Sequence, residues 1–318
     1  MARAGRETVA VVLEEPKRLS LRRIELPDPM PGEVVVDVEW SGISTGTERL
    51  LWSGSMPPFP GMGYPLVPGY ETVGKIVESG DGSPFAAGTR VFVPGARCFG
   101  EIKGLFGGAA SRLVVPEHRI IEIDSGLDER GVLFALAATA YHAVFAEGAR
   151  RPELIVGHGV LGRLLARMAN TMDGPSPVVW ESNPDRRMGA SGYDVVDPEA
   201  DTRRDYKSIY DVSGDAGLLN ALIGRLGRGG EITLAGFYNA PLSFAFPPAF
   251  TKEARIRVAS EWTEGDLVAV RKLISEGRLP LEGLITHRFA ATSATEAYAA
   301  AFEDAACLKM ILDWRACT

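Results

Sequence analysis

Apolar residues in the second half of the chain fall in short runs, separated by stretches with helical spacing. Apolar runs of this length between turn residues are typical of buried strands. We expect strands at 154–156, 177–181, 194–196, 208–212, 231–235 and 256–259. We expect helices between them, through residues 164–168 and over 217–226 and 263–276. This alternation predicts an α/β fold with a Rossmann doubly wound parallel sheet.

The first 145 residues follow another pattern, in which short strand-like runs alternate with Gly and Pro turns. Such spacing predicts a barrel-like, β-rich domain. The expected strands cover 9–13, 34–40, 72–77, 90–93 and 112–115, with one helix at about 129–147. The pattern returns with strands at 284–289 and 308–312 and a helix at 294–302. We therefore predict a catalytic domain of residues 1–145 and 284–318, with a dinucleotide-binding domain of residues 146–283 inserted in it.

Length and charge narrow the classes of function. With 318 residues the chain is long enough for two domains. Lys and Arg number 34 against 41 Asp and Glu, which argues against nucleic acid as the main partner because phosphate binding needs a basic surface. Three scattered cysteines suit neither a disulfide framework nor a four-cysteine zinc site. We expect a cytoplasmic protein with reduced thiols and no transmembrane segment.

A glycine-rich turn lies between the first expected strand and helix of the inserted domain. It reads Gly157-His158-Gly159-Val160-Leu161-Gly162 and fits the pattern G-x-G-x-x-G. In a dinucleotide site, Gly157 permits the tight turn, Gly159 lets the diphosphate approach the backbone, and Gly162 lets helix and strand pack closely. Free N–H groups at the start of the helix hold the diphosphate. The alternative, a turn without a ligand, is disfavoured by the alternation around it.

An acidic residue, Glu181, ends the second expected strand of this domain, about 20 positions after the glycine turn. A carboxylate there accepts hydrogen bonds from the adenosine ribose and repels a 2′-phosphate, which favours NAD over NADP. Arg186 and Arg187 follow and could instead hold a 2′-phosphate. The rest of the expected NAD-binding set follows the ends of strands and comprises Ser182, Ser213 and Gly236.

The order of these parts resembles the medium-chain dehydrogenase/reductase family over essentially the whole chain. Gly42-Ile43-Ser44 matches the family's Gly-Ile-Cys, and Gly69-Tyr70-Glu71 matches its Gly-His-Glu. In the family that cysteine and histidine ligate zinc, and the third ligand would fall near Ala135. Ser44, Tyr70 and Ala135 are unsuitable ligands, so we expect no metal. The resemblance also implies a GroES-like catalytic barrel and places Thr139 beside the nicotinamide.

Residues 39–52 and 56–71 carry a more specific resemblance. They are similar to a zinc-free branch of the family that uses NAD to oxidise the 3-(1-hydroxyethyl) side chain of a bacteriochlorin to 3-acetyl, in bacteriochlorophyll synthesis. This implies a tetrapyrrole substrate. Side chains suited to a flat ligand crowd here, namely Trp40, Trp52, Met56, Phe59, Met62 and Tyr64. Without the resemblance, packing of the barrel core explains the same residues better.

Alcohol oxidation needs a group that takes the hydroxyl proton while the nicotinamide takes the hydride. The candidate residues are Tyr70, Ser44, Thr47, Glu48, Glu71 and His142. The resemblance favours Tyr70 and Ser44, which it places near the reacting carbon, whereas Glu71 could only orient a neighbour. A tyrosine base needs its pKa lowered by a nearby cation, and Lys75 is close in sequence. His142 could equally be a structural histidine.

Two other functions stay open. A zinc-free quinone or enoyl reductase of the same family would use NADPH, against which Glu181 argues. A dinucleotide-binding protein without activity would keep the fold as a sensor or scaffold. The resemblance leaves two further options for partners: a homodimer joined at a sheet edge, and hand-off of the product to membrane enzymes.

Overall fold

The structure is a computed structural model, and it describes residues 6–58, 60–80 and 82–317. The chain divides into two compact units, Met1–Ala135 with Leu284–Thr318 (unit 1) and Leu136–Gly283 (unit 2). The domain limits expected from the sequence, 1–145 with 284–318 and 146–283, stay a prediction. Across the described ranges, no helix combines the length and apolar character needed to span a bilayer.

Strands predominate in the first part of the chain, and strands alternate with helices in the second part. The strands are β1 (Glu7–Glu15), β2 (Arg18–Glu25), β3 (Glu33–Ile43), β4 (Leu66–Val67), β5 (Thr72–Ser79), β6 (Arg90–Val93), β7 (Lys103–Gly104), β8 (Arg112–Pro116), β9 (Ile121–Glu122), β10 (Leu154–Val156), β11 (Val178–Trp180), β12 (Asp194–Val196), β13 (Tyr206–Asp211), β14 (Leu226–Leu234), β15 (Arg255–Val258), β16 (His287–Ala290) and β17 (Met310–Asp313). The helices are α1 (Thr47–Ser53), α2 (Phe134–Phe145), α3 (Val160–Ala169), α4 (Leu219–Arg225), α5 (Phe246–Lys252), α6 (Glu264–Ser275) and α7 (Ala294–Glu303).

Unit 1 is built around β3, an 11-residue strand that pairs antiparallel with β5, β8 and β17. It lies in a sheet with the order β16–β17–β3–β5–β6–β9, and a second sheet has the order β2–β1–β4–β7. Fully buried Val34, Val36 and Ile43 of β3 share one apolar core with Tyr298 and Trp314. The last strand of the chain therefore lies in the same sheet as the early strands.

Unit 2 contains a six-stranded, all-parallel sheet with the order β12–β11–β10–β13–β14–β15. The direction of strand order reverses between β10 and β13, and doubly wound sheets bind ligands in the crevice at such a point. The glycine-rich turn follows β10 and leads into α3. β10 is buried over its whole length, as expected for a strand of a parallel sheet.

Several elements differ from those expected. β2, α1 and α5 lie outside the predicted set: β2 is mostly exposed, and the two helices have seven residues each, too few for a repeated apolar stripe. The helix expected at about 129–147 begins later, at Phe134. The residues before it form a 3-10 segment, Ser125–Leu133, which is interrupted at Asp128 by a φ of 45°.

Candidate active site and dinucleotide site

Two of the three glycines of the loop after β10 meet a steric demand, and the third has open space. Gly157 has a φ of +106°, which side chains rarely adopt. A Cβ on Gly162 would lie 1.9 Å from the Gly157 carbonyl oxygen, so helix and strand pack too closely for a side chain there. A Cβ on Gly159 would meet nothing within 4 Å. The loop is thus closed around Gly157 and Gly162 and open at Gly159, where α3 begins with Val160 and Leu161, and this fits a diphosphate at the backbone.

His158 holds this loop in place through its ring. It is fully buried; Nδ1 donates to the Arg186 carbonyl at 2.7 Å, and Nε2 accepts from the Tyr193 hydroxyl at 3.0 Å. Burial lowers the pKa of His158 to about 4. The imidazole is therefore neutral near pH 7 and contributes no charge to a diphosphate. The role expected for His158 in the cofactor site would therefore be carried by its backbone and not by its side chain.

Glu181 stands directly behind the glycine loop. Its Oε2 accepts the His158 N–H at 3.2 Å and its Oε1 accepts the Asn183 N–H at 2.9 Å. A carboxylate offers about four acceptor positions, so two hydrogen bonds leave room for ribose hydroxyls. Ser182 follows and is exposed. The Arg187 guanidinium turns back to the Glu181 and Ser182 carbonyls, at 2.8 and 3.0 Å.

The ends of β13 and β14 bring Ser213 and Gly236 toward the same crevice. A Cβ on Gly157 would lie 3.4 Å from the Ser213 nitrogen, so the two segments are adjacent. Ser213 donates its N–H and its hydroxyl to Oδ1 of buried Asp211, at 2.9 and 2.7 Å. The Gly236 N–H donates to the Asp211 carbonyl at 3.0 Å. Thr139 lies half-buried on α2, and its predicted contact with nicotinamide stays a prediction.

In unit 1, the structure joins Ser44 and Tyr70 directly. Ser44 Oγ and the Tyr70 hydroxyl are 2.7 Å apart and buried, and Ser44 Oγ accepts the Thr47 N–H at 3.3 Å. Burial raises the pKa of Tyr70, and the charge of Glu71 raises it further. The lowered pKa that a tyrosine base would need is therefore not found. Tyr70 enters this site as a neutral hydroxyl.

Lys75, the cation considered for lowering the pKa of Tyr70, has another partner. Its Nζ pairs with Glu39 at 3.0 Å, and the side chain is about half exposed. The buried cation of unit 1 is Lys309, whose Nζ contacts the two oxygens of Glu71 at 2.9 and 2.6 Å. Sequence reasoning missed Lys309. The available signal was a single charge within the apolar run of residues 308–312.

The Glu71–Lys309 ion pair contacts the end of β3, directly before Ser44. Lys309 Nζ also donates to the Ile43 carbonyl at 3.3 Å, and the Gly42 N–H donates to the Glu71 carbonyl at 2.7 Å. A Cβ on Gly42 would lie 2.1 Å from Glu71 Oε2, so only glycine fits there. These contacts agree with an orienting role for Glu71, and that role stays a prediction.

Glu48, on α1, is the second buried carboxyl of this cluster. Its Oε1 accepts the Ser44 N–H at 3.2 Å, and its Oε2 accepts the Tyr298 hydroxyl at 2.7 Å. The side chain is fully buried. Burial raises the pKa of Glu48 to about 7, and the neighbouring charge of Glu71 acts in the same direction. Tyr298, on α7, is a further residue that the sequence did not single out.

His142 belongs to unit 2, and the structure gives it a definite partner. Its Nδ1 lies 2.9 Å from Asp266 Oδ2, and its Nε2 lies 3.4 Å from Ser260 Oγ. Asp266 also closes the capping box of α6 with Thr263. These contacts agree with the structural interpretation of His142, and its catalytic role stays a prediction.

The residues at the family's zinc positions do not fit a zinc ion. The Ser44 and Tyr70 hydroxyls bind each other, and Ala135 has no ligating atom in its side chain. Zinc in proteins is held by Cys, His and carboxylate ligands. Over the part of the chain that the structure describes, no group of three or more His, Cys, Asp or Glu residues could hold a metal ion.

Most of the aromatic- and Met-rich stretch packs into unit 1. Met56 is buried with Leu13, Leu51, Leu66 and Leu105. Trp52, Met62 and Tyr64 lie half-buried against that cluster. Core packing therefore accounts for much of this stretch, as the alternative interpretation held. Phe59 lies outside the described residues.

The sequence is similar to that of known dehydrogenases. Residues 30–125 match the alcohol dehydrogenase GroES-like domain. The chain is 57% identical to the 2-desacetyl-2-hydroxyethyl bacteriochlorophyllide A dehydrogenase of Rhodobacter capsulatus, over 97% of this chain and 99% of that protein. This chain belongs to the medium-chain dehydrogenase/reductase family. It is a dehydrogenase that acts on alcohol groups, and the predicted resemblance is confirmed.

Solved structures with the same fold include an Escherichia coli CFT073 alcohol dehydrogenase complexed with NADH. It has a TM-score of 0.82 at 22% identity, covering 97% of this dehydrogenase and 100% of that chain. A Sinorhizobium meliloti dehydrogenase bound to NADP has a TM-score of 0.80 at 21% identity, covering 97% and 99%. The predicted α/β fold, a Rossmann sheet with a GroES-like β-rich domain, is confirmed. One neighbour holds NADH and the other NADP, so these neighbours do not separate the two cofactors.

Proposed function

We propose that this chain uses NAD to oxidise the 3-(1-hydroxyethyl) side chain of a bacteriochlorophyllide to 3-acetyl, without zinc. The proposed substrate rests on the 57% identity, over 97% of the chain, to a dehydrogenase named for a hydroxyethyl bacteriochlorophyllide. An alignment over 97% of the chain extends into both units.

The proposed cofactor is NAD. The open backbone at Gly159 and the free N–H groups that start α3 would hold its diphosphate. Glu181 would accept the ribose hydroxyls and repel a 2′-phosphate. The Arg187 guanidinium is taken up by backbone carbonyls, which supports NAD over NADP. NAD supplies the acceptor for the hydride that leaves the carbinol carbon.

The Ser44–Tyr70 hydroxyl pair is the proposed partner of the substrate alcohol. Because Tyr70 stays neutral, the pair acts by hydrogen bonding: it accepts from the alcohol and polarises its O–H bond, and the proton is released to water as the hydride goes to NAD. The Thr47 N–H fixes the Ser44 oxygen, and the Glu71–Lys309 ion pair, with its bond to the Ile43 carbonyl, holds the residues next to both hydroxyls. These contacts keep the pair oriented.

We propose that zinc has no part in the reaction, because two of the three ligand positions hold hydroxyls bound to each other and the third holds Ala135. Protein purified in the presence of a strong chelator should keep full activity, and added zinc should not raise it. Activity that disappears with chelation and returns with zinc alone would contradict this part of the proposal.

A second copy of the chain is the proposed protein partner, with the cytoplasm as compartment. β15 is an end strand of its sheet, and Val258 on it is 74% exposed. Nearby in the chain, Phe246 and Phe250 of α5 are also exposed. An apolar strand edge of this kind pairs readily with another strand. Val258→Lys should lower the mass measured by sedimentation from dimer to monomer, and an unchanged mass would remove this partner. The cysteines that the structure describes form no disulfide, which fits a reducing compartment.

The test of the function is direct. Purified protein is mixed with NAD and the 3-(1-hydroxyethyl) bacteriochlorophyllide, and the pigment spectrum is followed as the new acetyl group conjugates with the ring. We expect a red shift with NAD, a much smaller rate with NADP, and a rate lowered on the order of a hundredfold in Ser44→Ala. Glu101→Gln, an exposed carboxylate of unit 1, is the matched control. No shift from protein that binds NAD would overturn the proposed substrate.

A further inference from the structure

The two buried carboxyls of the unit 1 cluster are compensated in different ways. Lys309 Nζ contacts both oxygens of Glu71, at 2.9 and 2.6 Å. Glu48 instead accepts hydrogen bonds from two neutral groups, the Tyr298 hydroxyl and the Ser44 N–H. An ionised Glu48 is therefore a buried charge whose neighbouring cation already serves another carboxylate. Such a group is the one in the cluster that changes protonation most readily.

Glu48 is fully buried, and charged groups of both signs face it. The titratable and charged groups that face it are Tyr298 on α7, Tyr70 and Glu71 just before β5, and Lys309 before β17. Tyr298 is itself covered by two aromatic rings, Trp52 and Phe302, with centroids at 6.3 and 5.8 Å. Burial is the largest cause that raises the pKa of Glu48 to about 7, and the Tyr298 hydrogen bond opposes it.

We propose that Glu48 is a positioning residue whose ionisation strengthens the Ser44–Tyr70 pair as the hydrogen-bond acceptor of the substrate alcohol. The inference rests on the proposed oxidation. Negative charge beside the pair makes its hydroxyl oxygens stronger acceptors for the O–H of the alcohol, because it favours positive hydrogen next to them. Glu48 contacts the pair through the Ser44 N–H, so it acts through Ser44 and not on the substrate. Protonation of Glu48 removes this assistance, and oxidation slows as the pH falls below neutral.

The first test is the pH dependence of kcat with NAD and the pigment. The wild-type rate should rise through a limb near pH 7, the pKa of the buried Glu48 carboxyl. Glu48→Gln should lose this limb and have kcat lowered on the order of tenfold at high pH. Tyr298→Phe should keep the limb but move it to higher pH, since it removes a hydrogen bond that favours the ionised form. Glu101→Gln should leave the limb in place. A limb that persists unchanged in Glu48→Gln overturns the inference.

The second test needs neither pigment nor NAD. Infrared spectra of the wild-type chain should show a protonated-carboxyl band that disappears as the pH rises through about 7, and Glu48→Gln should lack it. If Glu48→Gln does not fold, Tyr298→Phe replaces it. The band should then disappear at higher pH than in the wild type, and a band that does not move would contradict the inference. If the wild type oxidises the pigment but no band titrates near pH 7, the inference falls while the function stands. If the band titrates and no form oxidises the pigment, the proposed function falls, and the role assigned to Glu48 falls with it.

Discussion

The candidate site of unit 2 is built from residues close together in the sequence, whereas that of unit 1 is built from residues far apart. The glycine-rich loop of unit 2 comes from one stretch of six residues that runs from the end of β10 into α3, and two of its three glycines answer a local steric demand. The polar cluster of unit 1 joins α1, the start of β5, α7 and the residue before β17. Its central ion pair, Glu71–Lys309, spans 238 positions. A local site is specified by its own sequence, whereas a dispersed one depends on the whole unit.

The largest effect that follows from this difference is expected at Lys309. Lys309→Met leaves the Glu71 carboxylate buried without its cation, which should lower the free energy of unfolding by about 3–5 kcal/mol. Urea denaturation measures it. In the double variant with Glu71→Gln, most of the loss should be recovered because the buried charge is gone. A loss below about 1 kcal/mol, typical of a surface pair, would contradict the buried ion pair.

The next effect concerns the pH dependence of stability at Glu48. The folded state holds this proton up to a pKa of about 7, against an ordinary value of 4.5. The folded state therefore binds more protons between these values, so stability should fall as the pH rises through them, by about 3 kcal/mol in total at most. Subtracting the Glu48→Gln curve from the wild-type curve isolates this contribution from that of other groups. A difference curve without slope between pH 5 and 7 would show that Glu48 keeps an ordinary pKa.

Two glycine variants separate an effect on stability from an effect on NAD binding in unit 2. Gly162→Ala places a methyl group 1.9 Å from the Gly157 oxygen and should destabilise the protein by about 1–3 kcal/mol. Gly159→Ala has free space and should change stability by less than about 0.5 kcal/mol. It should nevertheless weaken NAD binding on the order of tenfold or more, because the methyl group stands where the diphosphate approaches. Calorimetric titration and thermal unfolding separate the two effects, and tight NAD binding by Gly159→Ala would exclude this loop as the site.

The same difference explains what the sequence could predict. The parallel sheet and the glycine turn follow from apolar runs and spacing, since both are local patterns. The pairing of Ser44 with Tyr70 needed the family resemblance, which places both at metal positions. Lys309 and Tyr298 could not be assigned, because nothing in a local pattern links Lys309 to Glu71 or Tyr298 to Glu48. Short elements such as α1 and β2 were missed because they lack a repeated apolar face.

The smallest effect is expected at Glu181, where one acceptor group decides between two cofactors. Glu181→Gln keeps one oxygen, which can accept from only one of the His158 and Asn183 N–H groups, and removes the negative charge. We expect NAD affinity to fall on the order of tenfold and NADP affinity to rise, so that their ratio moves toward one, with a loss of stability of about 1 kcal/mol from the lost hydrogen bond. Arg187→Ala is the matched comparison: because its guanidinium already binds the Glu181 and Ser182 carbonyls, its loss should not lower NADP affinity. If Arg187→Ala lowers NADP affinity and Glu181→Gln changes neither, the adenosine sugar is read by the arginine, and the carboxylate behind the glycine loop serves only to hold that loop.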